Sequence, residues 1–348
     1  MKTSALSNRV ALAAILAFAA LSNGARAQSF AYDVQAPEFR ASSVADNGDI
    51  LGFQKGADGN YTASVLRRGE VESIPPVKGT NFTASTGISP NGRYQVGYAT
   101  VPNSYYGTIL QGWVHSSEGS SIETLTKEGY AFWLNGINNE GMAVGTKTKL
   151  TLGVGQPRAI AWLNGTIMEL PLPSGYTNTI AVSCNKAGNI IGTCRSTGYT
   201  TSQPVMWVRT GFMTWVVKVL PAPKGGGWVR AINNSNVVVG DVYNGRLSTA
   251  CLWDSTGAHL LSTPTGTYSI ANGIDAAGRV YGSFNGSDVV MWTTMGALPT
   301  WVNRNLNIFR GTQSGILEDV ISVNNSGQMI CSLVNGFDRV NVLLYGTE

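Results

Sequence analysis

The nine residues 137–145 read INNEGMAVG, and this phrase organises the whole chain. An apolar residue precedes a polar turn that contains Gly141, and apolar residues then lead to a closing Gly145. Asn and Gly tolerate the left-handed backbone that tight turns require, so the phrase predicts a β-hairpin. The phrase returns six more times, as VADNGDILG (44–52), ISPNGRYQVG (88–97), CNKAGNIIG (184–192), INNSNVVVG (232–240), IDAAGRVYG (274–282) and VNNSGQMIC (323–331).

Each phrase is followed by a second pair of apolar segments. In the third repeat these segments read AIAWLNG (159–165) and IMELPLP (167–173). The closing positions of the seven phrases lie 42 to 49 residues apart. Repeats of this length with four short strands each are typical of a β-propeller, in which every repeat forms one sheet. The sequence therefore predicts an all-β fold, a seven-bladed β-propeller of four-stranded antiparallel blades.

The seventh repeat has three predicted strands, of which the last is Val340–Leu344. A spare strand, Ala31–Ala36, lies directly before the first repeat. An open sheet edge invites aggregation, and closure of the ring removes it. We therefore expect the N-terminal strand to pair with the last strand and to close a single domain over residues 28–348.

Residues 1–27 have the layout of a secretory signal peptide. Lys2 and Arg9 precede the apolar run Val10–Leu21, and Ala25-Arg26-Ala27 forms a small-x-small cleavage site. The run is shorter than the ~20 apolar residues that a spanning helix needs. We expect cleavage after Ala27 and a secreted or periplasmic product that has no integral membrane segment.

The composition limits the classes of partner. Removal of the leader lowers the formal net charge from +4 to +1, and no run of lysine or arginine remains. Nucleic acid is therefore not an expected partner, because its recognition requires a basic surface. The charged fraction of 13% and the 42 glycines fit an all-β chain, which we expect to be a monomer.

Four cysteines remain after processing: Cys184, Cys194, Cys251 and Cys331. An even number in an exported chain raises the question of disulfides. In its hairpin Cys184 should face Ile190, which leaves Cys194 too far along the strand for a bond with Cys184. We expect the cysteines to be small buried hydrophobic residues instead.

The repeat resembles the bacterial extracellular HAF-repeat family over nearly all of residues 41–345. The resemblance weakens in the first two repeats, where Leu66 replaces a Trp and Gly92–Gly97 contains one extra residue. It implies an exported repeat protein and supplies no catalytic residues. The segments that carry it are Ile137-Asn138-Asn139, Ile232-Asn233-Asn234, Val323-Asn324-Asn325 and Ala250-Cys251-Leu252-Trp253.

Two sets of aromatic residues are candidates for ligand contacts. The residues of the first set lie at the ends of the third strands of their repeats, and we expect them to fill the hydrophobic core between neighbouring sheets. This set comprises Trp113, Trp162, Trp207, Trp253 and Trp292. The second set lies on the crossings between repeats, where packing and ligand contact both remain open; it comprises Phe39, Phe82, Trp133, Tyr176, Trp228 and Tyr268.

Signals for an enzyme are weak. The two histidines, His115 and His259, lie near turns on the face away from the channel mouth, and no Gly-x-Ser-x-Gly motif occurs. No His/Cys cluster suggests zinc. The sequence thus favours a protein without catalytic residues, metal or cofactor. Acids on the loop-rich face come from separate repeats, namely Asp241, Glu318, Asp319 and Asp338.

We therefore expect an exported binding or interaction protein whose ligand, a glycan or a cell-surface protein, occupies the channel mouth. The variable loops lie on that face, and variable loops on a rigid scaffold commonly carry function. The predicted ligand-binding residues are Trp133, Trp228, Arg230 and Tyr268. The alternative is a propeller-type polysaccharide hydrolase or lyase, which would need two carboxylates to converge.

Overall fold

The structure is a computed structural model. It describes residues 29–34, 39–56, 59–80, 82–119, 121–151, 155–196, 202–223, 225–243, 245, 247–286, 288–293, 299–302, 305–308, 313–335 and 338–347. The predicted leader, residues 1–27, lies outside these ranges. The described residues form strands and turns, with no helix that could span a membrane.

The strands form seven antiparallel sheets, which confirms the predicted seven-bladed β-propeller. Blade 1 contains β2 (Phe39–Val44), β3 (Ile50–Lys55), β4 (Tyr61–Arg67) and β5 (Glu70–Ser73); blade 2 contains β6 (Thr83–Ile88), β7 (Tyr94–Asn103), β8 (Gly107–Ser116) and β9 (Ile122–Thr124); blade 3 contains β10 (Tyr130–Ile137), β11 (Ala143–Lys149), β12 (Pro157–Leu163) and β13 (Thr166–Glu169); blade 4 contains β14 (Asn178–Cys184), β15 (Ile190–Arg195), β16 (Ser202–Gly211) and β17 (Thr214–Val219). Blade 5 contains β18 (Gly227–Ile232), β19 (Val238–Tyr243), β20 (Ser248–Asp254) and β21 (Gly257–Leu260); blade 6 contains β22 (Ser269–Ile274), β23 (Val280–Phe284), β24 (Asp288–Trp292) and β25 (Thr300–Trp301); blade 7 contains β26 (Asn305–Ile308), β27 (Gln313–Val323), β28 (Met329–Asn335), β29 (Asp338–Thr347) and β1 (Ser29–Val34).

The innermost strands β2, β6, β10, β14, β18, β22 and β27 contact one another in sequence around the axis, and β27 returns to β2. In each antiparallel blade the turn after the innermost strand and the turn before the outermost strand lie on one face, which we call the lower face. The loops between the second and third strands, and the crossings between blades, lie on the opposite, upper face. The upper end of the axis is the channel mouth.

The hydrophobic core is divided into seven clusters of described residues, one at each interface between neighbouring blades. The five predicted core tryptophans are all buried in these interfaces, as expected for residues that wedge sheets apart. The indole N–H of Trp253 donates to the carbonyl oxygen of Pro221 at 2.6 Å. Trp207 and Trp292 make the equivalent bond to the preceding crossing. Trp207, Trp253 and Trp292 therefore fill their interfaces and also satisfy their indole N–H groups, whereas the buried indole nitrogen of Trp113 has no hydrogen-bond partner among the described residues.

The closing glycine of the hairpin phrase is required by close packing rather than by its φ angle. A Cβ built on Gly240 would overlap the carbonyl oxygen of Trp228 and lie 2.9 Å from the Cα of Val229. The innermost strand carries a β-bulge at this point, between Val229 and Ala231. The other blades also have a bulge next to this position. In blades 1, 2, 3, 4 and 6 a glycine lets the bulged backbone approach the second strand, whereas Cys331 occupies the position in blade 7.

The first Asn of the phrase stabilises its own turn. Oδ1 of Asn233 accepts the backbone N–H groups of Ser235 and Val237, both at 3.0 Å. In the same way, Oδ1 of Asn138 and Oδ1 of Asn324 each accept two backbone N–H groups of their own turns. These side chains are buried, so the sequence places an amide where two backbone donors would otherwise lack partners.

The same turns also bind neighbouring blades into a ring. Seven links between these turns each have their donor in one blade and their acceptor in the next. The seven links are Asp46 N to Pro90 O (2.7 Å), Asn91 N to Asn139 Oδ1 (2.9 Å), Asn138 Nδ2 to Asn185 O (3.3 Å), Asn185 Nδ2 to Asn233 O (3.1 Å), Asn233 Nδ2 to Asp275 O (3.3 Å), Ala276 N to Asn325 O (3.1 Å) and Asn324 Nδ2 to Ala45 O (2.9 Å).

The predicted ring closure is confirmed for the described part of the N-terminal strand. β1 pairs antiparallel with β29, from Ser29 opposite Thr347 to Val34 opposite Val342. Residues 35 and 36 of the predicted strand lie outside the described residues. An apolar cluster across blades 1 and 7, which includes Phe39 and Ile330, completes the closure.

Blade 7 differs from the prediction by a fifth strand, β26, which pairs with the first part of β27. β27 is 11 residues long and extends beyond its pairing with β28, which begins at Ile316 opposite Val334. The extension presents backbone groups that need hydrogen-bond partners, and β26 supplies them.

The four cysteines are unpaired. Cys184 lies opposite Ile190, as its hairpin register predicted. Cys194, Cys251 and Cys331 are buried in the interfaces between blades.

Candidate functional site at the channel mouth

Trp228 lies at the upper end of β18, one of the strands around the axis. Side chains alternate along a strand, and the next residue, Val229, is buried in the interface between blades 4 and 5. Trp228 consequently remains 37% exposed. A large aromatic side chain that stays exposed beside the axis is a common feature of ligand sites.

Arg195 of blade 4 lies over the ring of Trp228. Its guanidinium carbon is 4.5 Å from the ring centroid, which is a cation–π contact. Arg195 Nε also donates to Ser202 Oγ at 3.0 Å, and this bond fixes the guanidinium group. Arg195 is not predictable from the sequence, because its contact with Trp228 joins two blades.

Arg230 is the bulge residue of β18. The neighbouring pairs are Val229 with Gly240 and Ala231 with Val239, so Arg230 has no partner in the register. Bulges re-aim side chains, and here Arg230 Nε donates to Asp241 Oδ1 at 3.2 Å. Asp241 is 3% exposed, whereas the side chain of Arg230 is 40% exposed. The guanidinium group thus balances a buried carboxylate and remains accessible to a ligand.

Tyr268 immediately precedes β22 and is half-buried. Burial raises the pKa of its hydroxyl, and the negative charges of Asp241 and Asp319 raise it further, against the opposing effect of Arg230. The hydroxyl therefore keeps its proton at neutral pH and can donate a hydrogen bond. β22 is next to β18 around the axis, so Tyr268 lies in the blade adjacent to Arg230 and Asp241.

The site extends into blades 6 and 7 through Asp319. The Asp319 carboxylate accepts hydrogen bonds from Asn272 Nδ2 at 2.7 Å and from Ser283 Oγ at 3.2 Å. Asn272 is the bulge residue of blade 6, as Arg230 is of blade 5. Ser283 follows the closing Gly282, as Asp241 follows Gly240. A comparison of equivalent repeat positions could have found both residues.

Trp133 does not join this group. It lies on β10 of blade 3, two blades from β18, and is half-buried. Its register partner is Thr146, whose buried hydroxyl has no hydrogen-bond partner among the described residues. The structure therefore brings together three of the four predicted residues, Trp228, Arg230 and Tyr268. No described group of three or more His, Cys, Asp or Glu residues could hold a metal ion.

The other aromatic residues on the crossings have different surroundings. Phe39 is buried in the interface between blades 1 and 7. Tyr176 packs against the interface between blades 3 and 4. Phe82 belongs to an aromatic cluster with Phe53, Tyr61 and Tyr98. These contacts are packing contacts, so the ligand candidates narrow to the channel mouth near blade 5.

Comparisons with known proteins bear on the fold alone. No family model matches the chain, and no curated protein sequence matches it. The β-propeller domain of the Trilobed protease from Pyrococcus furiosus is similar, with a TM-score of 0.54 and 9% identity over 89% of this chain and 95% of that chain. YCF48 bound to D1 peptide is similar, with a TM-score of 0.51 and 13% identity over 92% and 97%. The chain spans about half (52%) of TolB from Acinetobacter baumannii, with 63% of its own length aligned, 15% identity and a TM-score of 0.41. At these identities the first two similarities show a β-propeller fold and nothing more.

Proposed function

We propose that the protein is an exported β-propeller that binds a ligand, a glycan or a surface protein, at the channel mouth. The observation that carries the proposal is the exposed Trp228, held under the guanidinium group of Arg195 and next to that of Arg230. The aromatic ring offers a stacking surface for sugar C–H groups or apolar side chains. The two guanidinium groups and the Tyr268 hydroxyl give direction through hydrogen bonds.

Export is inferred from residues 1–27, which have the layout of a signal peptide. Membership of the HAF-repeat family is part of the same proposal and rests on the repeat segments. A propeller with the same fold, YCF48, has a structure with a bound peptide, so a peptide ligand belongs in the test beside glycans.

The test is a glycan array and a peptide array probed with residues 28–348. Any hit is then titrated against wild type, Trp228→Ala and the control Phe212→Ala. Phe212 is 77% exposed in a turn of blade 4 on the lower face, so the control removes an exposed aromatic residue away from the mouth. We expect Trp228→Ala to weaken binding by at least tenfold, a typical effect for an aromatic hot spot.

Phe212→Ala should bind like wild type. Binding that survives Trp228→Ala combined with Tyr268→Ala would refute the site. Turnover of any polysaccharide on the array would instead favour the hydrolase or lyase.

A further inference from the structure

Blade 3 contains a cavity of about 340 Å³ at its upper rim. The cavity lies where β10, β11 and β12 meet the loop on the upper face, two blades from Trp228. The register places its polar side chains on one face of the sheet, because Tyr130 pairs with Lys149 and Lys147 pairs with Arg158. Glu169 on β13 belongs to the same face, because its register partner on β12 is Ile160, two residues from Arg158.

The lining carries more positive than negative charge. Lys147, Lys149 and Arg158 face a single lining carboxylate, Glu169. Lys147 Nζ and Arg158 Nε each lie 2.7 Å from an oxygen of Glu169. Lys149 is exposed and forms no ion pair with any residue that the structure describes. One cation is thus available to a ligand without the loss of an internal bond.

The cavity already stabilises a carboxylate. Burial would raise the pKa of Glu169, but hydrogen bonds and charges from Lys147 and Arg158 outweigh it, and the pKa is lowered. Neutralisation of Glu169 would release both cations toward the cavity.

Two of the three lining cations, Lys147 and Arg158, are held in place before any ligand arrives. The ring of Tyr130 has Lys147 Nζ at 5.4 Å and Lys127 Nζ at 5.2 Å from its centroid. Arg158 Nη1 donates to the carbonyl oxygen of Thr177 at 3.2 Å. Fixed donors lose little entropy on binding.

We propose that this cavity binds an acidic sugar residue, with the sugar carboxylate on Lys149 and the hydroxyl groups toward Gln156. The volume is at the lower end of the range for small-ligand pockets, so a monosaccharide unit fits better than a bare anion. Gln156 and Thr151 in the lining provide the polar groups that sugar hydroxyls need. The site shares no residue with the channel mouth and does not depend on the function proposed for it.

Calorimetric titration of residues 28–348 with trigalacturonate at low ionic strength tests the proposal. Its fully methyl-esterified form and inorganic sulfate serve as comparison probes. We expect trigalacturonate to bind wild type and to bind Lys149→Ala about tenfold more weakly, the factor that ~1.4 kcal/mol represents. Lys186→Ala, which removes an exposed lysine from a lower-face turn, should bind like wild type.

Glu169→Gln gives a result of opposite sign. It releases Lys147 and Arg158, so affinity for trigalacturonate should rise severalfold, whereas a purely structural Glu169 would give no such gain. Unchanged binding in Lys149→Ala, no binding to wild type, or equal binding of the methyl ester would each overturn the proposal. Sulfate that binds as tightly as trigalacturonate would overturn the sugar assignment. Trp228→Ala should leave this titration unchanged, so the proposal for the cavity and the proposal for the channel mouth are tested separately.

Discussion

Asn233→Ala is expected to destabilise the propeller more than its single, uncharged side chain would suggest. The substitution removes two bonds within the turn, to the N–H groups of Ser235 and Val237, and one bond to blade 6, at the carbonyl oxygen of Asp275. Asn233 is 3% exposed, so water does not readily replace these partners. The change therefore breaks the turn and one link of the ring together.

The magnitude follows from the three bonds. Each contributes a net ~1 kcal/mol, and a buried donor left without a partner costs more, so we expect a loss of about 2–4 kcal/mol. Asn234→Ala is the matched control, because it removes one exposed bond, from Lys186 N to Asn234 Oδ1 at 3.0 Å. That change should cost less than about 1 kcal/mol.

Urea unfolding followed by tryptophan fluorescence measures both variants. With an m-value of about 3 kcal/mol/M, the expected loss for Asn233→Ala moves the midpoint by about 1 M. Asn233→Ser should be intermediate, since Ser89 in the equivalent turn of blade 2 accepts one backbone N–H, from Tyr94. Because Asn234→Ala also removes a link between blades, equal midpoints for Asn233→Ala and Asn234→Ala would refute the idea that the buried Asn, with its bonds to its own turn and to blade 6, contributes more than an exposed link.

Three further predictions concern closure, packing and pH. Deletion of Ser29–Val34 exposes the edge of β29 and should lower the urea midpoint and produce oligomers in size-exclusion chromatography, whereas an unchanged monomer would contradict ring closure. Gly240→Ala forces a Cβ against the backbone of β18 and should lower the free energy of unfolding by about 1–3 kcal/mol. Gly119→Ala, whose Cβ would meet its nearest atom at 3.5 Å, should leave stability unchanged, and similar urea midpoints for the two variants would disprove the packing argument. The pKa of Asp254 is lowered from 3.8 to about 2. The largest cause is the hydrogen bond from the Thr256 hydroxyl; the Thr256 backbone and His259 lower the pKa further, whereas burial raises it. A depressed pKa stabilises the fold above the unfolded value, so this stabilisation is complete above about pH 4 and is lost as the pH falls toward 2. The difference in urea midpoint between wild type and Asp254→Ala should shrink over that range, and a constant difference would contradict the assignment.

The fold was predictable because its signals are local and repeated. In the hairpin phrase the apolar residues predict two strands, and Asn and Gly predict the turn between them. Seven copies of the phrase predict seven blades. The spare strand before Phe39 predicted its partner, since an edge must be covered. The bonds from Asn138, Asn185 and Asn233 to the following blade were not predictable, because they depend on the distance between sheets.

The candidate site was only partly predictable for the same reason. Trp228 and Arg230 are close in sequence and share β18, so the sequence analysis found both. Arg195 and Asp319 come from blades 4 and 7, and only the closed ring brings them to the channel mouth. Trp133 met the sequence criterion equally well, and the repeat pattern already placed it in the third repeat, two repeats from Trp228.

The seven links between turns have a direction, since in each of them a blade donates to the one after it. A blade behaves in this respect like a subunit of a head-to-tail cyclic oligomer, in which unlike surfaces meet at every contact. A cut through the crossing between two blades would leave one fragment with a spare donor and the other with the matching acceptor. The same two fragments also meet where blade 7 joins blade 1, so they should recognise each other at both junctions and reassemble into a seven-bladed ring in one orientation only.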